Sequence, residues 1–230
     1  MITTIYVFAA LIPAVFLMRY IYQHDKVEKE PPALLMRLVL SGVYAAILAV
    51  LLESLGGLVL SELDFPSTNA YAVATAVMVD LSEELSKYLF LRIRTWKNPN
   101  FNYRFDGLVY AVFVSLGFAA LENVLYVFQY GMGVAVSRAL LAVPAHMAFG
   151  VFMGIFYGRA KVCEAHGDRR NCKRNLTIGL LSAIILHSFY DACVMVENDI
   201  AMIIFIVFVV LMYIIVINKV RHEANTDYKI

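Results

Sequence analysis

Long runs of apolar residues alternate with short charged segments along the whole chain. At about 20 residues or more, these runs have the length of a helix that crosses a hydrocarbon core of about 30 Å. They predict helices at roughly 3–22, 35–60, 70–91, 105–130, 138–158, 176–196 and 200–218. We therefore expect an all-α, polytopic membrane helix bundle of about seven transmembrane helices.

The connections between the predicted helices alternate in charge. Basic residues follow the first, third and fifth helices, and acidic residues follow the second and sixth. Because basic connections remain in the cytoplasm, we expect the N-terminus outside and a cytoplasmic C-terminal tail with Lys219 and Arg221. Arg138 departs from this pattern, and we expect it to reach the outer interface or to pair inside the bundle. The charged segment 25–30 is predicted to be a solvated cytoplasmic loop.

Composition excludes several other classes of protein. The chain of 230 residues is 61% hydrophobic and 16% charged, with a mean hydropathy of +0.72, which argues against a soluble protein. We expect one integral membrane domain over residues 1–230. The net charge of +1, without a basic face, gives no sign of nucleic-acid binding. The N-terminus lacks the basic segment of a signal peptide, so the first run should remain as a helix.

The third predicted helix carries four ionisable residues in the middle of an apolar context. Asp80, Glu83, Glu84 and Lys87 are spaced i, i+3, i+4 and i+7, which places them on one helical face. Each charge costs about 2.5–3.5 kcal/mol at the centre of a membrane. Such a face must point into the protein, and its cost indicates a functional role.

Later helices add further polar residues at compatible depths. Glu122 lies alone in the fourth predicted helix, His146 in the fifth, and His187 and Asp191 share a face of the sixth. Counting about 1.5 Å per residue, these side chains and the glutamate pair could meet in one cavity. Carboxylates and imidazoles are a natural ligand set for Zn²⁺, with one glutamate left to activate water. The same groups would suit a metal-free acid–base site.

Two other interpretations use the same residues. A proton- or cation-coupled transporter also needs intramembrane carboxylates and histidines that face a wet cavity. Transporters often show internal repeats, and we find none in this sequence. A non-catalytic scaffold is the third alternative, although the full set of candidate acids, bases and ligands disfavours it.

Four motifs in order on successive predicted helices resemble the PrsW family of bacterial intramembrane proteases. Segments 25–31, 105–110 and 115–118 support the resemblance, which spans most of the chain. This family is similar to the wider group of CAAX prenyl proteases and Abi proteins, in which a histidine usually stands at the position of Glu122. The four motifs are Glu83-Glu84-x-x-Lys87, Phe118-x-x-x-Glu122-Asn123, His146-x-x-x-Gly150 and His187-x-x-x-Asp191.

The resemblance implies a substrate and a reaction. It implies a bacterial plasma-membrane protease that makes the site-1 cut in a single-pass anti-sigma factor, on the extracytoplasmic side, and so releases an ECF sigma factor in the envelope-stress response. We expect membrane lipid and this substrate as partners.

The expected roles follow from the residue types. Either Glu83 or Glu84 would act as the general base on water, and Lys87 would keep this pair ionised. A second set would bind Zn²⁺ or the oxyanion, and Asp191 would orient one of its rings. That set consists of Glu122, His146 and His187.

Overall fold

The computed structural model describes residues 2–196 and 198–230. Within these residues the chain forms helices and no strand, apart from one isolated antiparallel bridge between Tyr103 and Lys229. The prediction of an all-α fold is confirmed. The helices are α1 (Ile2–His24), α2 (Pro32–Ser61), α3 (Thr68–Thr95), α4 (Asp106–Tyr130), α5 (Gly133–Leu140), α6 (Ala142–Ala165), α7 (Arg169–Met195) and α8 (Asp199–Asn225).

Local sequence signals explain where several helices begin and end. Ser67, Asp168 and Asn198 precede α3, α7 and α8, and each side chain accepts a hydrogen bond from a backbone N–H of the first turn. Gly131 and Gly167 have positive φ values of 81° and 74°, a conformation that glycine adopts without steric cost. These two residues end α4 and separate α6 from α7.

The predicted fifth helix, at 138–158, is in fact broken between α5 and α6. Leu141 separates the two helices. Pro144 has no N–H to donate to the carbonyl of Leu140, which a continuous helix would require. The hydroxyl of Tyr213 on α8 donates instead to the carbonyl oxygens of Leu140 and Leu141, at 3.1 and 2.9 Å. The backbone groups released by the break are therefore satisfied by a neighbouring helix.

Six helical segments are long and apolar enough to cross a membrane: α1, α2, α4, α5 with α6, α7 and α8. Helix α3 is not among them, because its charged residues lower its hydropathy. It packs against α2, α4 and α7. The polar face of α3 is therefore covered by these helices, while its opposite face, with Leu81, Leu85 and Leu89, is exposed.

Helix α4 is the central element, since it packs on α1, α2, α3 and α6. Glycines allow the backbones of α2 and α6 to pack closely against α4. A Cβ atom on Gly154 of α6 would lie 2.5 Å from the Cα atom of Leu108, and a Cβ atom on Gly42 of α2 would lie 2.5 Å from the backbone nitrogen of Phe118. Such backbone contact is typical of helix packing in membranes. It brings the polar residues of α4 and α6 within hydrogen-bonding distance.

Candidate active site

The charged face of α3 forms the floor of a buried polar centre. All four ionisable side chains of this face are buried, whereas the exposed surface of the helices is largely apolar. They are Asp80, Glu83, Glu84 and Lys87. The Nζ atom of Lys87 donates hydrogen bonds to Glu83 Oε2 at 3.0 Å and to Glu84 Oε1 at 2.8 Å. Each carboxylate thus has a charged donor from its own helix, one turn away.

Lys87 also joins α3 to α6. Its Nζ atom lies 3.1 Å from Nδ1 of His146 and 3.9 Å from the centroid of the Phe118 ring. An ammonium group has three N–H donors and no acceptor, so His146 Nδ1 accepts this hydrogen bond. The three donors of Lys87 are then matched by Glu83, Glu84 and His146. This arrangement fixes the positions of all three partners.

His146 is held on its other side by Glu122 of α4. Because Nδ1 accepts from Lys87, Nε2 carries the proton and donates to Glu122 Oε2 at 2.8 Å. Arg138 of α5 forms an ion pair with the same oxygen at 3.0 Å, and its Nε atom donates to Asn123 Oδ1 at 3.0 Å. Arg138 therefore pairs inside the bundle, which is one of the two positions expected from the sequence.

His187 of α7 is held in a parallel way. Its Nδ1 atom lies 3.0 Å from Glu84 Oε1, and its Nε2 atom lies 3.4 Å from Asp80 Oδ1. The ring stacks on Phe149 with a centroid separation of 4.4 Å. Asp191, which was expected to orient this ring, lies near His187 and Asp80. Within the described structure it forms no hydrogen bond to the His187 ring. Asp80 occupies the position behind the ring instead.

The two imidazole rings are therefore oriented in a similar way. Each has a carboxylate from another helix behind Nε2, and each turns Nδ1 towards the centre formed by Lys87 and Glu84. A carboxylate behind a histidine fixes the orientation of the ring and, in metal sites, makes it a better ligand. The two Nδ1 atoms therefore face the same centre, that of His146 as an acceptor from Lys87 and that of His187 as a donor to Glu84.

The donor set fits a divalent metal ion. One ligand atom each from Glu83, Glu84, His146 and His187 can be chosen so that all lie within 4.8 Å of one another. Carboxylate oxygens and imidazole nitrogens are common zinc ligands. A bound ion would share three of these groups with the ammonium of Lys87. Glu122, expected among the ligands, lies outside this group and behind His146.

One more carboxylate, Glu53 of α2, was not singled out in the sequence. Its carboxyl group is close enough to the centre to interact electrostatically with Glu83, Glu122, Lys87 and His187. The signal that could have found it is the one that found Glu122, a single acidic residue in a long apolar helix. Glu53 extends the centre towards α2.

A second buried acidic cluster lies at the start of α2 and α4. Asp25, Glu30 and Asp106 are only 1%, 4% and 1% exposed. The hydroxyl of Tyr110 donates to Glu30 Oε1 at 2.8 Å, and Asp106 Oδ2 accepts the backbone N–H of Tyr103 at 2.7 Å. Burial raises the pKa of Asp25 to about 6 and that of Glu30 to about 7.

The prediction that segment 25–30 is a solvated loop is therefore wrong for its two end residues. Asp25 and Glu30 fold inward because Tyr110 and the N-terminal part of α4 close over them. The segments 25–31 and 105–110, which both supported the family resemblance, meet in this cluster. Their pairing across the chain is a structural link between α1, α2 and α4.

The fold and the centre together define a class of protein: a multi-pass membrane protein with a carboxylate, lysine and histidine centre between its helices. A family model described as PrsW family intramembrane metalloprotease matches residues 30–217, so the chain belongs to the PrsW family. All the polar residues of the centre lie within this range. The chain is thus an intramembrane protease of a bacterial membrane.

Curated relatives from the same family match this chain over nearly its full length. The chain is 29% identical over 225 residues to Protease PrsW of Clostridioides difficile, with 96% of this chain and 92% of the relative covered. It is 32% identical over 219 residues to Protease PrsW of Halalkalibacterium halodurans, with 95% and 97% covered. No solved structure matches the chain. The alternative of a cation-coupled transporter is not favoured, because the matched family and relatives are proteases.

Proposed function

We propose that the chain makes the site-1 cut in a single-pass membrane-anchored anti-sigma factor, on its extracytoplasmic side, and so releases an ECF sigma factor. The observation that carries the proposal is the buried centre in which Lys87 joins Glu83, Glu84 and His146. Such a set of a base, a cation and ordered imidazoles is suited to hydrolysis of a peptide bond. The family supports proteolysis, and the substrate is the proposed part.

The depth of the centre supports cleavage near one membrane surface. His146 is four residues from the start of α6, and Glu122 and His187 are each eight residues from the ends of their helices. At about 1.5 Å per residue, these side chains lie about 6–12 Å from the same end of the bundle. The connections at the opposite end are basic. Helix α3, with 28 residues, is long enough to be a seventh crossing beside the six apolar ones. In the proposed orientation, with the N-terminus outside and the C-terminus in the cytoplasm, the centre then faces the extracytoplasmic side.

Glu83 is the proposed general base. Its side chain is 10% exposed, whereas that of Glu84 is fully enclosed. Glu84 accepts hydrogen bonds from both Lys87 and His187 on one oxygen, so it is held more firmly. A base must reach a water molecule and release a proton to the leaving amine. Glu83 can do this, while Glu84 positions the ring of His187.

The remaining groups stabilise negative charge on the scissile carbonyl oxygen. Lys87 and the Nδ1–H group of His187 converge on Glu84 Oε1, so the ammonium and an imidazole N–H donor lie at one point. Zn²⁺ held by this glutamate and histidine set would polarise the scissile carbonyl and make bound water more acidic. Lys87 also offsets part of the negative charge of the glutamate pair, which would otherwise be more costly to bury.

Cleavage in proteoliposomes tests the proposal. A single-pass anti-sigma factor would be co-reconstituted with the wild type, with Glu83→Gln, and with Glu62→Gln as a control at an exposed position outside the centre. We expect cleavage by the wild type and by Glu62→Gln, and loss of at least about a hundredfold in Glu83→Gln. Cleavage that survives in Glu83→Gln would contradict its role as base. A folded wild type that leaves every tested anti-sigma factor intact would contradict the proposed substrate.

A chelator arm addresses the metal. Loss of cleavage on removal of metal, and its return with added Zn²⁺, is expected if the glutamate and histidine set binds the ion. Full activity after metal removal would show that the protein groups act alone.

A further inference from the structure

A basic cleft lies between the last turns of α3 and the first half of α7. Its volume is about 380 Å³, and its polar lining consists of Tyr88, Arg92, Lys173 and Thr177. Three leucines of α7 form the apolar part of the lining, at positions 176, 180 and 181. No carboxylate lines the cleft. It shares no residue with the buried centre and extends from it towards the C-terminal end of α3 and the N-terminal end of α7.

The two cations of the cleft have no acidic partner in the described structure. Neither Arg92 nor Lys173 forms an ion pair there, whereas the nearby Lys161 pairs with Glu164 at 2.7 Å. Arg92 is directed by a hydrogen bond from its Nη1 atom to the hydroxyl of Tyr88, at 2.9 Å. Two unpaired cations around one cleft favour an anion as its ligand.

Aromatic residues place these cations at the depth of lipid headgroups. Trp96, the only tryptophan of the chain, lies one turn beyond Arg92, whose guanidinium is 5.2 Å from the Trp96 ring. Tryptophan and tyrosine concentrate at membrane interfaces. From Lys173 the three leucines run along α7 towards the apolar part of the bundle. The cleft therefore has a cationic rim at the interface and an apolar wall on the membrane side.

We propose that this cleft binds an anionic phospholipid, with the phosphate between Arg92 and Lys173 and an acyl chain along the leucines of α7. Charge complementarity selects the headgroup, and the apolar wall selects a lipid over free phosphate. The two helices that form the cleft also carry Glu84 and His187, whose side chains meet at 3.0 Å. A lipid that joins α3 to α7 therefore stabilises the packing on which this contact depends.

Lipid titration of the purified full chain tests the site, with native mass spectrometry and thermal unfolding as readouts. The probes are phosphatidylglycerol, phosphatidylcholine and inorganic phosphate. We expect phosphatidylglycerol alone to bind saturably and to raise the melting temperature. Lys173→Gln should weaken its binding about fivefold, and the double variant Arg92→Gln with Lys173→Gln about thirtyfold.

A control removes the same charge outside the cleft. Arg169 and Arg170 are exposed at the start of α7 and do not line it, so Arg169→Gln with Arg170→Gln should bind as the wild type does. Equal loss in the control pair would overturn the proposal, since it would show nonspecific attraction. Equal binding of phosphatidylcholine would do the same. A melting-temperature rise with inorganic phosphate as large as that with lipid would show an anion site without a lipid. Single Lys173→Gln keeps the test open if the double variant fails to fold.

Discussion

Removing the guanidinium of Arg138 should damage the active site, although Arg138 lies outside it on α5. Arg138 is the only charged residue between Tyr130 and Gly158. It forms an ion pair at 3.0 Å with Glu122 Oε2, the same oxygen that accepts from His146 at 2.8 Å. Without Arg138, Glu122 would keep a buried charge with only the imidazole as donor. Glu122 would then hold the ring of His146 less firmly.

The size of the effect follows from burial. The side chains of Arg138 and Glu122 are 12% and 21% exposed, so the pair lies between the buried and the surface limits. Breaking a buried pair costs about 3–5 kcal/mol, and an exposed pair contributes about 0–1 kcal/mol. We expect Arg138→Gln to lower the free energy of unfolding by about 2 kcal/mol. If about half of this free energy is also lost from transition-state stabilisation, because the His146 ring is held less firmly, kcat/KM falls about fivefold to tenfold.

A double-mutant cycle measures this coupling directly. Arg138→Gln, Glu122→Gln and the double variant would be compared for kcat/KM and for thermal unfolding in nanodiscs. We expect Arg138→Gln to have little further effect once Glu122 is replaced. Tyr126→Leu is the control for packing, because the Arg138 guanidinium lies 3.9 Å from the Tyr126 ring. Additive effects of the two charge variants, or an equal loss of activity in Tyr126→Leu, would refute the reasoning.

Three further predictions concern stability and metal binding. In the folded state the pKa of Asp25 is about 6 and that of Glu30 about 7, above the ordinary 3.8 and 4.5, so the folded state binds extra protons. The melting temperature should therefore rise as the pH falls from about 8 to about 5.5. The double variant Asp25→Asn with Glu30→Gln should show a smaller change of melting temperature with pH. Gly154→Ala should destabilise the chain by about 1–3 kcal/mol because of the close helix contact, whereas Gly57→Ala, with no atom within 4 Å of its added Cβ, should be neutral or stabilising in thermal unfolding. Asp80→Asn should weaken metal binding about tenfold to a hundredfold in a chelator competition, and unchanged affinity would show that Asp80 does not support its histidine.

The buried face of α3 could be predicted from two features of its charged residues. Their spacing places them on one side of the helix, and the free-energy cost of charges in a membrane requires that side to face the protein interior. Charges at i, i+3, i+4 and i+7 in an apolar context have few stable positions other than the interior of a bundle. The motifs around Glu122, His146 and His187 could be located for the same reason. Sequence spacing also gave Glu83 and Lys87 as an i, i+4 pair, and their 3.0 Å contact has that geometry.

Partners on different helices could not be predicted, because helix rotation decides them. Spacing favoured Asp191 as the partner of His187, since the two share a helix face. The structure places Asp80 of α3 at 3.4 Å from the ring instead. The break before α6 was also missed, because hydropathy does not register the missing N–H of Pro144. Asp25 and Glu30 were assigned to solvent because their burial depends on Tyr110, about 80 residues away.

Charge balance gives a physical reason for a bound cation in the centre. In the described structure the helices bring five carboxylates together there but only two permanently charged cations, Lys87 and Arg138. The carboxylates are those of Glu53, Asp80, Glu83, Glu84 and Glu122. Unbalanced negative charge is costly in a medium of low dielectric constant, so protons on the carboxyl groups or histidines, or a divalent ion, supply the rest. Because both Nδ1 atoms already face the glutamate pair, a divalent ion can enter with little rearrangement beyond a shift of Lys87. Lys87→Met should therefore raise the affinity of the purified protein for the metal ion, while it lowers the free energy of unfolding because the glutamate pair loses its counter-charge. A fall in metal affinity would show that Lys87 supports the ion rather than competes with it.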